Sequence, residues 1–112
     1  MKEAMTVVAL LRAARRRIVK GWTKGADARD RYDQRVNPSD VDAVKWCARG
    51  AITGFSNDRL HQRAMKLLDD ACPNDPHDVV QMDIIEFNDS VAKRKSQVLA
   101  VYDKAIKAAG AA

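Results

Sequence analysis

Few residues in this chain are of types that do chemistry, and their spacing narrows what they can do. Cys47 and Cys72 belong to no CxxC or Cys/His pattern, so reduced, buried thiols in an intracellular chain are expected. His61 and His77 have no HxH or HExxH companion and indicate neither zinc nor a catalytic dyad. Asp27, Asp30 and Asp33 recur every third residue and could gather a cation, but the mid-loop glycine and terminal Glu of a calcium loop are missing. Interleaved Arg29, Arg31 and Arg35 fit a local lattice of ion pairs instead. There is no GxSxG, phosphate-loop or GxGxxG motif. A small hydrolase or transferase would have to use Asp30 and Asp89, and no spacing fixes a base or metal beside either. No catalytic residue, metal or cofactor is expected.

Charge offers more. The net charge of +5 divides unevenly: residues 1–56 carry 12 Lys/Arg against 6 Asp/Glu, and residues 57–112 carry 8 against 9. Between Asp69 and Asp89 stand seven acids and no Lys or Arg. Such a bipolar chain suits an acidic partner at one end, head-to-tail self-association, or simple solvation. Arg12, Arg15, Arg16, Arg17 and Lys20 form a basic ridge, which Lys24 or Lys93-Arg94-Lys95 would extend if their helices lie side by side. A ridge of this kind binds phosphates in a salt-dependent, largely sequence-independent way. No recognition-helix pattern or set of exposed stacking aromatics marks a known nucleic-acid module.

The elements that must position these residues read as helices. At 112 residues, with 46% apolar and 31% charged residues, the chain is expected to form one helical domain over 1–112. No apolar run approaches the roughly 20 residues that span a bilayer, and arginines follow Val7–Leu11 in an order wrong for export. A cytoplasmic protein without membrane contact is expected. A first helix from about Lys2 to Lys20 has Val7, Leu11, Ala14 and Ile18 on one face and Arg12, Arg16 and Lys20 opposite, with Gly21 as a left-handed cap. Asn37, Pro38 and Asp40 signal a second helix running to about Phe55, with a stripe of Val41, Val44, Ala48, Ile52 and Phe55. Trp46 points almost the opposite way, beside Ala43, Cys47, Gly50 and Gly54, so a closely approaching loop should cover that side. A third helix, capped by Ser56 or Asn57, carries Leu60, Ala64, Leu67, Leu68 and Ala71 and ends at Cys72-Pro73. Asp75-Pro76-His77-Asp78 starts a short helix, an extended piece is conceivable near Ile84–Phe87, and the last helix runs from Val91–Lys95 to Ala109. Val98, Tyr102, Ala105, Ile106 and Ala109 give it a buried stripe. No strand alternation stands out. The expected fold is all-α: a compact bundle of four to five helices with one long packed loop at about residues 21–37.

Three motifs add to this. Trp22-Thr23-Lys24-Gly25-Ala26-x-Ala28-Arg29-Asp30, then Trp46-Cys47-x-x-Gly50-Ala51, then Phe87-Asn88-Asp89 followed by Val98-Leu99 and Asp103-x-Ala105-Ile106 span most of the chain. In this order the chain resembles a family of small bacterial and phage helical proteins, a domain of unknown function. The resemblance supports the boundaries and brings no activity, catalytic residue or cofactor. Such proteins often have a glycine turn about where Asp33 falls, and a Thr/His/Glu-type cap where this chain has Lys93-Arg94-Lys95.

Trp22 and Trp46 read as a packing pair that closes the loop on the second helix, with Gly25, Ala26, Ala28, Gly50 and Ala51 small where backbones approach. Buried indoles need an acceptor, and a loop carbonyl would serve. The alternative is an aromatic-lined pocket in which Lys24 and Arg29 face an anionic ligand such as a nucleotide. Asn88-Asp89 reads as an Asx-type turn and cap. The function expected is that of a non-enzymatic interaction or regulatory protein, phage-associated, acting through the basic first helix and the Trp22–Asp30 loop. The alternative is nucleic-acid or anionic-nucleotide binding through the same basic face.

Overall fold

The computed structural model describes residues 6–53, 58–73 and 82–111. Thr6 opens the first helix, α1 (Val7–Lys20), its hydroxyl accepting the Ala9 N–H at 3.1 Å. The expected stripe of Val7, Leu11, Ala14 and Ile18 is buried, joined by Leu10. Helix α2 (Asp58–Ala71) buries Ala64, Leu68 and Ala71, and ends where Pro73 follows. The last helix, α4 (Lys95–Ala111), buries Val98, Val101, Tyr102 and Ala105. Each stripe repeats near 3.6 residues, so each helix can bury one face only, and α1, α2 and α4 pack on one another. Lys93-Arg94-Lys95 does not leave the start of α4 uncapped. Gln97 Oε1 reaches back to accept the N–H groups of Lys93 (2.6 Å) and Arg94 (3.0 Å).

The expected second helix does not form. Over residues 37–53 the chain is a series of turns and one short strand, so the fold is mostly helical rather than all-α. Asn37 Oδ1 takes the Ser39 N–H (2.9 Å) and Asp40 Oδ1 takes the Asp42 N–H (2.8 Å). These side chains close turns of their own and draw the backbone away from the helix their spacing suggested. Val41, placed on the buried stripe by helical periodicity, is 95% exposed. Downstream, backbone donors go to the loop: Val44 N–H to Arg29 O (2.9 Å) and Trp46 N–H to Gly21 O (2.9 Å).

That short strand, which no alternation announces, is half of a small antiparallel sheet. Strand β1 (Ala28–Arg29) pairs with β2 (Lys45–Trp46), Ala28 opposite Trp46 and Arg29 opposite Lys45. Trp46 also makes a parallel bridge to Trp22, and Arg29 an antiparallel bridge to Arg35. The long loop is therefore a folded sheet edge rather than a plug on a helix. Gly21 is extended, φ −173°, not left-handed; it is needed because a Cβ there would stand 2.2 Å from the Val44 carbonyl oxygen. At Asp33, where the resemblance leads one to expect a glycine turn, φ is +65°. Asp tolerates that left-handed conformation better than most residues, so the turn forms without a glycine.

Before α4 comes a single turn, α3 (Ile84–Glu86), capped by Asp83, whose carboxylate accepts the Glu86 N–H at 2.7 Å. It continues into a π-helical turn over Phe87–Val91, closed by Ala92 N–H on Phe87 O at 2.8 Å. The extended piece expected near Ile84–Phe87 is thus helical. Asp69 of α2 ties it down by accepting the Ile84 N–H (2.8 Å). The short helix expected from Asp75, its companion His77, the caps Ser56 and Asn57, and Gly54 and Phe55 lie outside the described residues. Among the described residues, no helix is long and apolar enough to cross a membrane.

Candidate functional site

The π-turn brings Asn88 and Asp89 to face the loop that begins at Trp22. Asn88 is 1% exposed, and its amide makes four hydrogen bonds. Its Oδ1 accepts Trp22 Nε1–H (2.7 Å) and Ala48 N–H (3.0 Å), while its Nδ2 donates to Thr23 O (3.2 Å) and Asp89 Oδ1 (2.9 Å). Asp89 Oδ1 also accepts the Gly25 N–H at 3.0 Å, and Gly25 stands at φ +75°, where a side chain would strain the backbone. Asn88-Asp89 is therefore a bracket between distant segments rather than a local Asx turn. Trp22 finds its acceptor in that amide, and Trp46 finds a loop carbonyl, Pro38 O at 3.1 Å.

Gly50 lies against the same loop. A Cβ there would be 1.9 Å from Asp27 O, the oxygen that accepts the Cys47 N–H at 3.1 Å. Cys47 and Cys72 are free and buried. The Cys47 sulfur accepts the Gly50 N–H (3.1 Å) and its thiol donates toward Asp27 Oδ1 (3.7 Å). Burial, helped by the nearby Asp27 and Asp89 charges and opposed by backbone N–H groups, pushes the Cys47 thiol up to about 11. Burial first, then Asp69 and Asp83, raises Cys72 to about 12. Neither thiol is a thiolate near neutral pH, so neither is an activated nucleophile. Tyr102 completes the junction from α4, its hydroxyl donating to Ala48 O; burial holds its pKa well above the ordinary value.

A cavity of about 270 Å³ opens at this junction, its wall including Ala26, Asp27, Cys47 and Arg49. Arg35 and Asp89 also line it. Lys24 and Arg29, the cations expected to face a ligand, do not. Lys24 is exposed and lies over the Trp22 ring at 5.5 Å. Arg29 is held by the loop, donating to Thr23 Oγ1 (3.0 Å), Asp33 O (3.0 Å) and Lys24 O (3.3 Å). The Asp lattice is partly as expected: Arg29 stands 3.9 Å from Asp33, but Lys45 also meets Asp33 (3.6 Å) and Arg49 meets Asp27 (3.5 Å). Asp30 accepts the Tyr32 and Gln34 N–H groups and lines a different cavity, with Tyr32 and Val41. Asp30 and Asp89 do not converge on one cleft. Among the described residues, no three His, Cys, Asp or Glu side chains are placed to hold a metal ion.

The basic ridge divides. Arg12, Arg16 and Lys20 are exposed along α1. Arg15 pairs with Asp103 of α4 at 2.7 Å. Arg17 turns inward, donating to Ala51 O and Thr53 O at 3.3 Å and lying 5.3 Å over the Trp46 ring; burial lowers its pKa. In exchange, Lys95 Nζ donates to Val19 O at 2.9 Å, so the exposed Lys93-Arg94-Lys95 run meets the end of α1.

Arg35 and Arg49 line the cavity without any sequence signal for that role. Arg35 reads as part of the Asp lattice, and Arg49 gives no signal because helical periodicity does not foresee the turn at 48–53. No curated protein and no solved structure matches the chain. Over residues 2–108 it matches the family of unknown function DUF6197. The three motifs that meet at Asn88 are those on which the resemblance rested, and the chain belongs to that family.

Proposed function

We propose that the chain is a non-enzymatic interaction or regulatory protein that takes an acidic protein partner on its basic end. The supporting observation is the Lys95 ammonium on the Val19 carbonyl, which joins Lys93-Arg94-Lys95 to the exposed row of Arg12, Arg16 and Lys20. The cytoplasmic location and phage association expected from the sequence belong to this reading. So does the view of Arg15, Arg17 and Arg29 as supports: their contacts within the chain hold the helices and loop that present the other cations. A pull-down from host lysate compares the native chain with a variant carrying Arg12→Glu, Arg16→Glu and Lys20→Glu. A partner retained by the first and lost by the second is the expected result. A monomeric, partnerless native chain, or equal capture by both, overturns the reading.

Nucleic-acid binding is the second reading, favoured by the spacing of Arg12, Arg16 and Lys20. Residues four apart on a helix rise roughly 6 Å, a row of cations able to follow successive phosphates. Filter binding at low salt should then show affinity that falls steeply with salt and weakens when those three residues are neutralised. Binding that is absent, or indifferent to them, removes this alternative.

A further inference from the structure

We propose that the cavity at the Asn88 junction binds a small zwitterion, an amino-acid-sized molecule carrying an anionic group and an N–H donor. Its volume, about 270 Å³, lies just under the roughly 300–1,000 Å³ of sites for drug-sized ligands, which suits a small metabolite. The frame around it is fixed by bonds that leave its ligand-facing groups open. Asn88 holds Trp22, Thr23 and Ala48 in place, Asp89 Oδ1 holds Gly25, and Gly50 seats its backbone against Asp27.

The open groups are of both signs. Among the described residues, the Arg49 guanidinium makes a single long contact, Nη2 to Asp27 Oδ2 at 3.5 Å. Among the described residues, the Arg35 guanidinium has no hydrogen-bond or ion-pair partner, and Asp89 Oδ2 accepts no hydrogen bond. Guanidinium groups take a carboxylate or phosphate through two parallel N–H donors. A carboxylate oxygen beside them takes a donor from the same ligand. A bare anion would meet the Asp27 and Asp89 charges, and a bare cation would meet the two arginines, so the wall selects a molecule carrying both. Ile85 and Ala26 supply apolar surface for its short carbon frame. None of Arg12, Arg16 and Lys20 lines this cavity, so the site stands or falls apart from the basic end.

Titration of the 15N-labelled chain with L-aspartate and with O-phosphoethanolamine tests this. Binding of either should shift the Gly25 and Gly50 amides and the Asn88 side-chain amide; which one binds identifies the anion as carboxylate or phosphate. Arg35→Gln, at an exposed position, should weaken that binding about tenfold, as loss of one charge-assisted pair does. Asp89→Asn, which keeps an acceptor for Gly25, should do likewise, and Arg12→Ala should leave it unchanged. The proposal is overturned if neither zwitterion shifts those resonances, or if Arg35→Gln binds as the native chain does. Acetate or inorganic phosphate binding as tightly as the matching zwitterion would also overturn it.

Discussion

The layer of α1, α2 and α4 closes on Leu11, Ile18, Leu68 and Val98, all fully buried and apolar. The region from Gly21 to Thr53 buries far fewer large side chains and is instead tied to the bundle by polar atoms. Asn88, Tyr102 and Arg17 reach its backbone from elsewhere in the chain. Apolar contact is non-directional, so a helical face tolerates small shifts and exchanges of similar volume. A bracket of hydrogen bonds has fixed directions, and a broken one leaves buried donors without partners. One half of the molecule is held by area, the other by a few atoms.

Paired substitutions separate the two. Asn88→Ala should cost more than about 3 kcal/mol, since it strands the Trp22 indole N–H and the Ala48 N–H at once. Leu11→Ala should cost about 2–5 kcal/mol by opening a cavity in the helical layer. The totals overlap, but amide exchange should not. Asn88→Ala should release Thr23 and Ala48 while Leu10–Ile18 stay protected, whereas Leu11→Ala should loosen the helices as well. Uniform release in both variants would mean that the halves form one cooperative unit.

Trp22→Ala comes next, at about 3 kcal/mol or somewhat more, because Trp22 is half-buried and also serves as the donor to Asn88. An unchanged melting temperature would show that the loop holds without it.

A pH effect follows from Cys47. Its thiol is raised from an ordinary 9.0 to about 11, so the folded chain binds that proton more tightly than the unfolded one. Stability from this source is complete below about pH 9 and declines as pH rises through 11. Urea midpoints measured across that window should fall less steeply for Cys47→Ala than for the native chain. Parallel curves would remove the thiol from the account.

The smallest effect belongs to Arg15→Ala. The Arg15–Asp103 pair is partly exposed on both sides, and such pairs contribute at most about 1 kcal/mol. A larger loss in thermal unfolding would mark this bridge as an organiser of the α1–α4 contact.

The same contrast explains what could be read in advance. Val7, Leu11, Ala14 and Ile18 announce α1 because periodicity and burial are one property of a helix face. Strands of two residues show no alternation, so β1 and β2 were invisible. Asn37, Pro38 and Asp40 carry the chemistry of a helix start, yet Asn37 and Asp40 close turns here. The outcome depended on where the donors of Val44 and Trp46 would go, and their acceptors, Arg29 O and Gly21 O, lie far back in the chain. Family resemblance pointed to the right three motifs, and local pattern could not say that Asn88 ties them together. The cavity's arginines were hidden for the same reason: 14 positions of sequence separate Arg35 from Arg49, and only the turns bring them to one wall.

The π-turn at Phe87–Val91 makes chain length a property of the junction. Each residue of a helix advances the next by about 100°, so removing one from this turn to restore regular α-helix would swing the residues on one side of the deletion by a quarter turn or more relative to those on the other. Either the Asn88 amide would leave Trp22 and Ala48, or α4 would rotate its Tyr102 away from the Ala48 carbonyl. Ser90, exposed and within the turn, is thus an easy residue to exchange and a hard one to delete.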